Sequence, residues 1–385
     1  MGTPSGIEAE VYTTAVAPPF ATDVLAEEIA AAVKSACQKR GRLSLVRDGR
    51  LDRAAYDIAR ETGGQKAPAS DAVSFLLWHY GVAEPEPNLF LARGDDGAEA
   101  AGVASLQAQW ERAADFSAWR RVGVGVVRTD RKWSAAVIFQ EKNLDLEPVP
   151  RRLGAKGRTL VAGRLRAAFA HPEILVTPPR GAVERLAVVA KGDGLSTWFE
   201  CKSGAGAYQV EISAQDEHGP RVLANFPVYC GVDPPQAFAR AADAPRTFAD
   251  AAEAEDMIFD LVNRDRQGSG LPALLRDPRL AAVARRYSQE MAATGAVVHI
   301  SRRSGSVIER VAAAGIVPPP TTLAENVGRS NSPADVERGF MSSPGHRDNI
   351  LGRGITHLGV GVALGRDEGG EVTLFVTQIF AGFRP

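Results

Sequence analysis

The chain has 385 residues, 45% hydrophobic and 24% charged, a composition of folded globular domains and a length beyond one average domain. Lys+Arg 45 against Asp+Glu 46 leaves a formal charge of -1, which argues against a nucleic-acid binder that must displace counterions with a basic face. No run reaches the roughly 18–20 apolar residues that cross a bilayer.

The first residues, Met1-Gly2-Thr3-Pro4-Ser5-Gly6, carry neither a basic nor an apolar leader. The expectation is a cytoplasmic chain or one whose signal segment has been removed. Residues 20–147 open with Val24, Leu25, Ile29 and Val33 at helical spacing. Cys37 lies in that pattern and reads as a buried structural thiol. The segment ends in strand-like runs at 122–127 and 133–139. Residues 148–232 carry short apolar runs separated by Pro178-Pro179-Arg180-Gly181, Lys191-Gly192-Asp193-Gly194 and Ser203-Gly204-Ala205-Gly206. Regular strands with such turns predict a small all-β sandwich. Cys201 and Cys230 fall within it and can form a disulfide if the chain is exported, though spacing alone leaves the bonded and free states both open. Gly231-Val232-Asp233-Pro234-Pro235 reads as a linker.

Residues 247–385 return to helices followed by strands and echo the first segment. Arg47-Asp48-Gly49-Arg50-Leu51 matches Arg276-Asp277-Pro278-Arg279-Leu280 at an offset of 229, and Val122-Gly123-Val124-Gly125-Val126 matches Leu358-Gly359-Val360-Gly361-Val362 at 236. Gly81 and Gly315 both close an apolar helix, at offset 234. The fold expected is α+β: two copies of one domain, at 20–147 and 247–385, flanking the β-sandwich at 148–232.

In the last segment Leu280, Val283, Ala284, Tyr287 and Met291 form one apolar helical stripe that stops near Gly295. Ser332-Pro333-Ala334-Asp335 reads as a helix start, with Ser332 as N-cap. Around these elements lie Val298-His299-Ile300-Ser301, Ala324-Glu325-Asn326, Pro344-Gly345-His346-Arg347-Asp348-Asn349-Ile350-Leu351, His357-Leu358-Gly359-Val360-Gly361-Val362 and Thr377-Gln378-Ile379-Phe380. In this order the set resembles the CAP superfamily (cysteine-rich secretory proteins, antigen 5 and plant pathogenesis-related proteins), in its bacterial branch, over residues 250–383. The resemblance implies a three-layer α-β-α sandwich with a surface cleft lined by two histidines and one or two glutamates, where some members hold a divalent metal. His299 and His346 match the cleft histidines and Glu325 the first glutamate. No carboxylate stands at 339–343, where animal and plant members have a second one, and Phe340 replaces the usual tryptophan.

Two imidazoles and a carboxylate are a competent zinc set with one open position, and they can equally hold a water or a polar ligand by hydrogen bonds. The bland alternative is that His299 caps a helix end and Glu325 binds backbone N–H groups. His357, beside a strand, reads as structural, His79 as a core or helix-face residue, and His171 and His218 as loop residues. Gly123-x-Gly125 and Gly359-x-Gly361 open no helix and so make no dinucleotide fingerprint. Ser342 and Ser343 have no orienting partner for a serine hydrolase. Arg285-Arg286 and Arg302-Arg303 read as solvated faces.

The first expectation is therefore a secreted or envelope-associated bacterial CAP protein binding a small lipid or glycan-like ligand, with zinc or another divalent metal on His299 and His346. The second is a metal-assisted peptide or glycan hydrolase with Glu325 as catalytic base. The third is a cell-surface scaffold with protein partners at residues 20–232. The repeat offsets place Trp110 at His346, Arg121 at His357, Leu91 at Glu325, and residues 65–67 at His299. The first copy is thus expected to be degenerate, keeping the packing without the polar trio.

Overall fold

The computed structural model describes residues 3–20, 23–41, 45–65, 68–85, 87–112, 118–239, 248–366 and 372–384. Lys66 and Ala67, two of the residues aligned with His299, lie outside them. The chain divides into two compact units, Met1–Ala214 with Val222–Arg240, and Gln215–Arg221 with Ala241–Pro385. No described helix is long and apolar enough to cross a membrane.

The first unit begins with β1 (Val11–Tyr12), α1 (Val24–Lys39), β2 (Val46–Arg47), α2 (Gly49–Thr62), α3 (Ser70–His79), β3 (Asn88–Asp95), α4 (Glu99–Arg112), β4 (Trp119–Thr129) and β5 (Lys132–Glu141). Its sheet has the order β2-β4-β5-β3. Val122, Val124 and Val126 of β4 pack with Leu25, Ile29 and Val33 of α1 and with Leu106 and Trp110 of α4. On the other face Ala136 and Ile138 of β5 meet Leu51, Ala55 and Ile58 of α2 and Val73 and Leu76 of α3. Period-2 strands between period-3.6 helices give three layers. Asp48 caps α2 by accepting from Arg50 N–H, and Gly63 ends it at φ 56°. Cys37 is free and buried in α1. His79 is 3% exposed, with Nε2 3.1 Å from the Gly6 carbonyl oxygen.

The chain continues through β6 (Leu144–Leu146), β7 (Val149–Pro150), β8 (Arg152–Leu153), β9 (Arg158–Leu165), β10 (Ala170–Thr177), β11 (Glu184–Leu186), β12 (Val189–Lys191), β13 (Gly194–Glu200), β14 (Gly206–Asp216) and β15 (Gly219–Cys230). These form sheets ordered β11-β10-β14-β15-β8 and β12-β13-β9-β6. They share one core that includes Val161, Phe199, Tyr208, Val210 and Phe226. Cys201 and Cys230 are joined as a disulfide.

The second unit contains α5 (Ala251–Gly268), β16 (Leu275–Arg276), α6 (Pro278–Thr294), α7 (Val307–Ala313), β17 (Thr322–Ser330), α8 (Pro333–Ser342), α9 (Pro344–Ile350), β18 (His357–Arg366) and β19 (Val372–Gly382). The sheet order is β16-β18-β19-β17, which leaves β17 on an edge. Leu358, Val360 and Val362 of β18 pack with Ile258 and Val262 of α5 and with Val336 and Phe340 of α8. The opposite face meets the expected stripe of α6, whose Leu280, Val283 and Ala284 lie against Ile379. Gly359 and Gly361 let α6 lie directly on β18: a Cβ on Gly361 would sit 2.1 Å from Arg285 N. Ser332 accepts from Asp335 N–H at the head of α8, with Pro333 in the first turn. Arg285 is exposed, as the solvated-face reading expects, and from there it clamps the buried Glu255 with two nitrogens, while Glu255 also accepts from Val362 N–H.

Both mixed sheets run short parallel strand, long hairpin, antiparallel edge strand. In the second unit Gly359, Ile379 and Glu325 form one row across the sheet, and Val360, Gln378 and Asn326 the next. In the first unit the corresponding rows are Gly123, Ile138, Leu89 and Val124, Val137, Phe90. Strand register therefore aligns Glu325 with Leu89 rather than the Leu91 suggested by sequence offset.

Candidate functional site

The site forms at the exposed edge of the second unit's sheet, where β17 meets α7 and α9. Neighbouring residues of a strand point to opposite faces, so Glu325 and Asn326 organise different sides. Glu325 is 6% exposed and Arg310 of α7 is 7% exposed. Arg310 Nη2 donates to Glu325 Oε1. The other carboxylate oxygen, Oε2, is 3.1 Å from His299 Nδ1. The guanidinium also lies over the Tyr287 ring, 3.5 Å from its centroid. Burial pushes the Tyr287 phenol up to about 12, and this neutral hydroxyl donates to the Val298 carbonyl beside His299. A further restraint comes from His218, whose carbonyl accepts from His299 N–H at 3.1 Å and Ile300 N–H at 2.8 Å.

Arg310 has a defined origin. Ser306 caps α7 in a capping box with Glu309, which starts the helix at Val307 and directs position 310 toward β17. Its Nη1 donates to Gly305 O. Sequence reading missed Arg310; its only local signal is a place one turn after a Ser-x-x-Glu cap.

His346 lies in α9, and its ring centroid is 6.5 Å from that of His299 and 5.0 Å from that of Phe340. The residue is half-buried, and burial of the ring and the neighbouring His299 push its imidazole down to about 3. His346 is therefore neutral near pH 7, with one ring nitrogen donating and one accepting. At the C-terminal end of α9, buried Arg266 donates to the carbonyls of Ile350 at 2.7 Å and Gly352 at 3.0 Å. Carbonyls at a helix end lack intrahelical donors, and here a cation from α5 supplies them.

The other side of β17 carries a buried amide ladder. Asn349 Nδ2 donates to Glu325 O at 3.2 Å and to Asn326 Oδ1 at 2.9 Å. Asn326 Nδ2 donates to His346 O at 3.2 Å and to Gln378 Oε1 at 2.9 Å. Gln378 Nε2 donates to Glu337 Oε2 at 2.7 Å. Residues 339–343 lack a carboxylate, as the sequence indicated, but Glu337 stands earlier on the same helix, pointing into this ladder.

A tetrahedral metal between two imidazoles would bring their centroids to about 5 Å, closer than the 6.5 Å observed. Glu325 already faces Arg310 and His299 with its two oxygens. No group of three His, Cys, Asp or Glu side chains converges on a metal position among the described residues. The donor set thus fits two histidine nitrogens with Glu325 behind one of them, not a three-ligand cage. His357 stands apart, with Nδ1 2.8 Å from Thr356 Oγ1 and its ring against Phe383.

Residues 259–380 match the model of the cysteine-rich secretory protein family, CAP. The chain is 36% identical over 108 residues to the uncharacterized protein YkwD of Bacillus subtilis (strain 168), covering 28% of this chain and 41% of that protein. It is 35% identical over 111 residues to the uncharacterized membrane protein YlbC of the same organism, covering 28% and 31% respectively. The chain thus spans less than half the length of these curated relatives. Among solved structures, an outer surface protein from Borrelia burgdorferi aligns at 15% identity and a TM-score of 0.31, over 36% of this chain and 100% of that one. An extracellular protein containing a SCP domain from Bacillus anthracis aligns at 18% identity and 0.31, over 59% and 82%.

Proposed function

Residues 259–380 are a CAP domain, and from that premise we propose that the chain is a secreted or envelope-associated binding protein whose His299–Glu325–His346 site takes a small, hydroxyl-rich, glycan-like ligand. The observation that carries this reading is a neutral His346 facing a His299 whose Nδ1 is engaged by Glu325. A neutral His346, with one ring nitrogen donating and one accepting, beside a His299 ring fixed by Glu325, suits hydroxyl groups better than acyl chains. The disulfide supports an exported chain, because such bonds persist in oxidising compartments.

A divalent cation, when bound, would supply a Lewis-acidic point for ligand oxygens. His299 and His346 would hold it, with Glu325 orienting the His299 ring from behind. The hydrolase reading has less support: both Glu325 oxygens already have partners, so we assign Glu325 an orienting role rather than that of a base. We further propose that residues 20–147 are a degenerate copy of the same domain. Leu89 and Phe90 stand in the sheet rows of Glu325 and Asn326, which suits a role in packing or in contacts with a protein partner.

The test is a calorimetric titration of the full chain with zinc, with soluble peptidoglycan fragments and with phosphatidylglycerol vesicles, comparing wild type with His299→Ala/His346→Ala. Glycan binding abolished in the double variant is the expected result. Vesicle binding alone would transfer the reading to lipid, and equal binding of every probe by both proteins would reject the site.

A further inference from the structure

We propose that Glu337 is a positioning residue of the His299–Glu325–His346 site, acting through the Gln378–Asn326–Asn349 ladder on the backbone of Glu325 and His346. The proposal deepens the binding reading and rests on it. Glu337 is 2% exposed, and Asn326 and Gln378 are 0% exposed. Every amide of the ladder donates toward Glu337, so the acid is its terminal acceptor. Hydrogen bonds in such a chain polarise one another, which links the state of the acid to contacts at the far end. Those contacts reach the carbonyls of Glu325 and His346, on two different elements.

The sheet itself does not require this ladder. In the first unit, with the same strand order, Phe90 and Val137 occupy the row of Asn326 and Gln378 and belong to an apolar core. A buried carboxyl also carries a cost that such a core avoids. Glu337 Oε1 has no hydrogen-bond partner among the described residues. Burial and the charge of Asp265 on α5 push this acid up to about 8, against the Gln378 hydrogen bond. Asp265 in turn interacts with Arg347 of α9, and α8 itself carries the Asp335–Arg338 pair. β19 and β17 contribute the neutral Gln378 and Asn326. Ionisation near pH 8 changes the terminal group of the ladder while His346 stays neutral.

The experiment is NMR of the isotope-labelled full chain without ligand, following the Asn326 side-chain amide and the His346 ring from about pH 6 to about pH 10. Wild type is expected to pass through a transition near pH 8 that Glu337→Gln lacks, while Glu337→Gln keeps the wild-type resonances below it. In Glu337→Leu the Asn326 amide protons are expected to exchange about tenfold faster, with the His346 ring signals displaced. A transition that persists in Glu337→Gln, or no transition in wild type, overturns the assignment; so does a folded Glu337→Leu with unchanged Asn326 and His346 signals. If Glu337→Leu does not fold, the wild-type and Glu337→Gln comparison decides alone. Failure of the binding reading looks different: wild type then binds neither zinc nor peptidoglycan fragments, whatever the ladder does.

Discussion

His299 Nδ1 lies 3.1 Å from Glu325 Oε2, and the second carboxylate oxygen takes the guanidinium of Arg310. One acid therefore orients an imidazole and neutralises a buried cation. Removing one partner of such a pair leaves the other charge unpaired, whereas removing both leaves only a volume change. Glu325→Ala is expected to destabilise the protein by about 3–5 kcal/mol, and Arg310→Met by a similar amount. The double variant should lose clearly less than the two single losses combined. Urea unfolding of the three variants checks this; strict additivity would mean that the two side chains are independent.

His346 sets a pH dependence of defined sign. Its imidazole is pushed down to about 3 in the folded chain, against about 6.5 when unfolded. Between these values the unfolded chain binds the extra proton, so stability rises with pH across that window and is lost as pH falls through it. The slope from this group is at most about 1.4 kcal/mol per pH unit. Glu337 acts in the opposite sense: an acid raised to about 8 favours the folded state at low pH and weakens it as pH rises from about 4.3 to about 8. His346→Gln should flatten the acid limb of a stability-against-pH curve, and Glu337→Gln the alkaline limb. Unchanged limbs in both variants would remove these groups as the cause.

The legible parts of this protein were those written in short stretches of chain. The α6 stripe, the glycines of β18 and the histidines of the Val298-His299-Ile300-Ser301 and Pro344-Gly345-His346 stretches are local patterns, and the helices and strands around them follow. Arg310 and Glu337 were not legible, because their roles arise from pairings across 15 and 41 residues of separation. A lone arginine or glutamate on an amphipathic helix looks like any solvated residue. The packing of residues 3–20 was illegible for a similar reason. Tyr12 is buried in the β core, while Ser5 N–H donates to Asp57 of α2, contacts that no periodicity announces. Sequence offset sets Leu91 beside Glu325, whereas the row of the first unit's sheet in the same order carries Leu89, because sequence offsets drift through loops while strand register does not.

Close approach at Gly361 gives a prediction about the scaffold. A Cβ there would lie 2.1 Å from Arg285 N and 2.2 Å from Ala284 C, both backbone atoms of α6. Neither can move without displacing the helix, so Gly361→Ala is expected to cost about 1–3 kcal/mol or more through overpacking. Because α6 also carries Tyr287, which binds the Val298 carbonyl, the His299 ring signals should shift as well. Gly339→Ala, where nothing lies within 4 Å of the added atom, is the control. Equal denaturation midpoints for the two variants would contradict the packing account.

The disulfide separates stability from site chemistry. Cys201 and Cys230 close a span of 29 residues, and a loop of that size restricts the unfolded chain by about 3.6 kcal/mol in the entropy model. Cys201→Ala/Cys230→Ala is therefore expected to lower the unfolding midpoint of the first unit, while Cys37 remains buried in α1. Zinc and glycan titrations should remain as in wild type, because His299, Glu325 and His346 belong to the second unit. Thiol titration of the denatured, oxidised wild type should detect a single reactive group, from Cys37. Three thiols in protein recovered from an oxidising compartment would show that the bond does not form, and would remove its support for an exported chain.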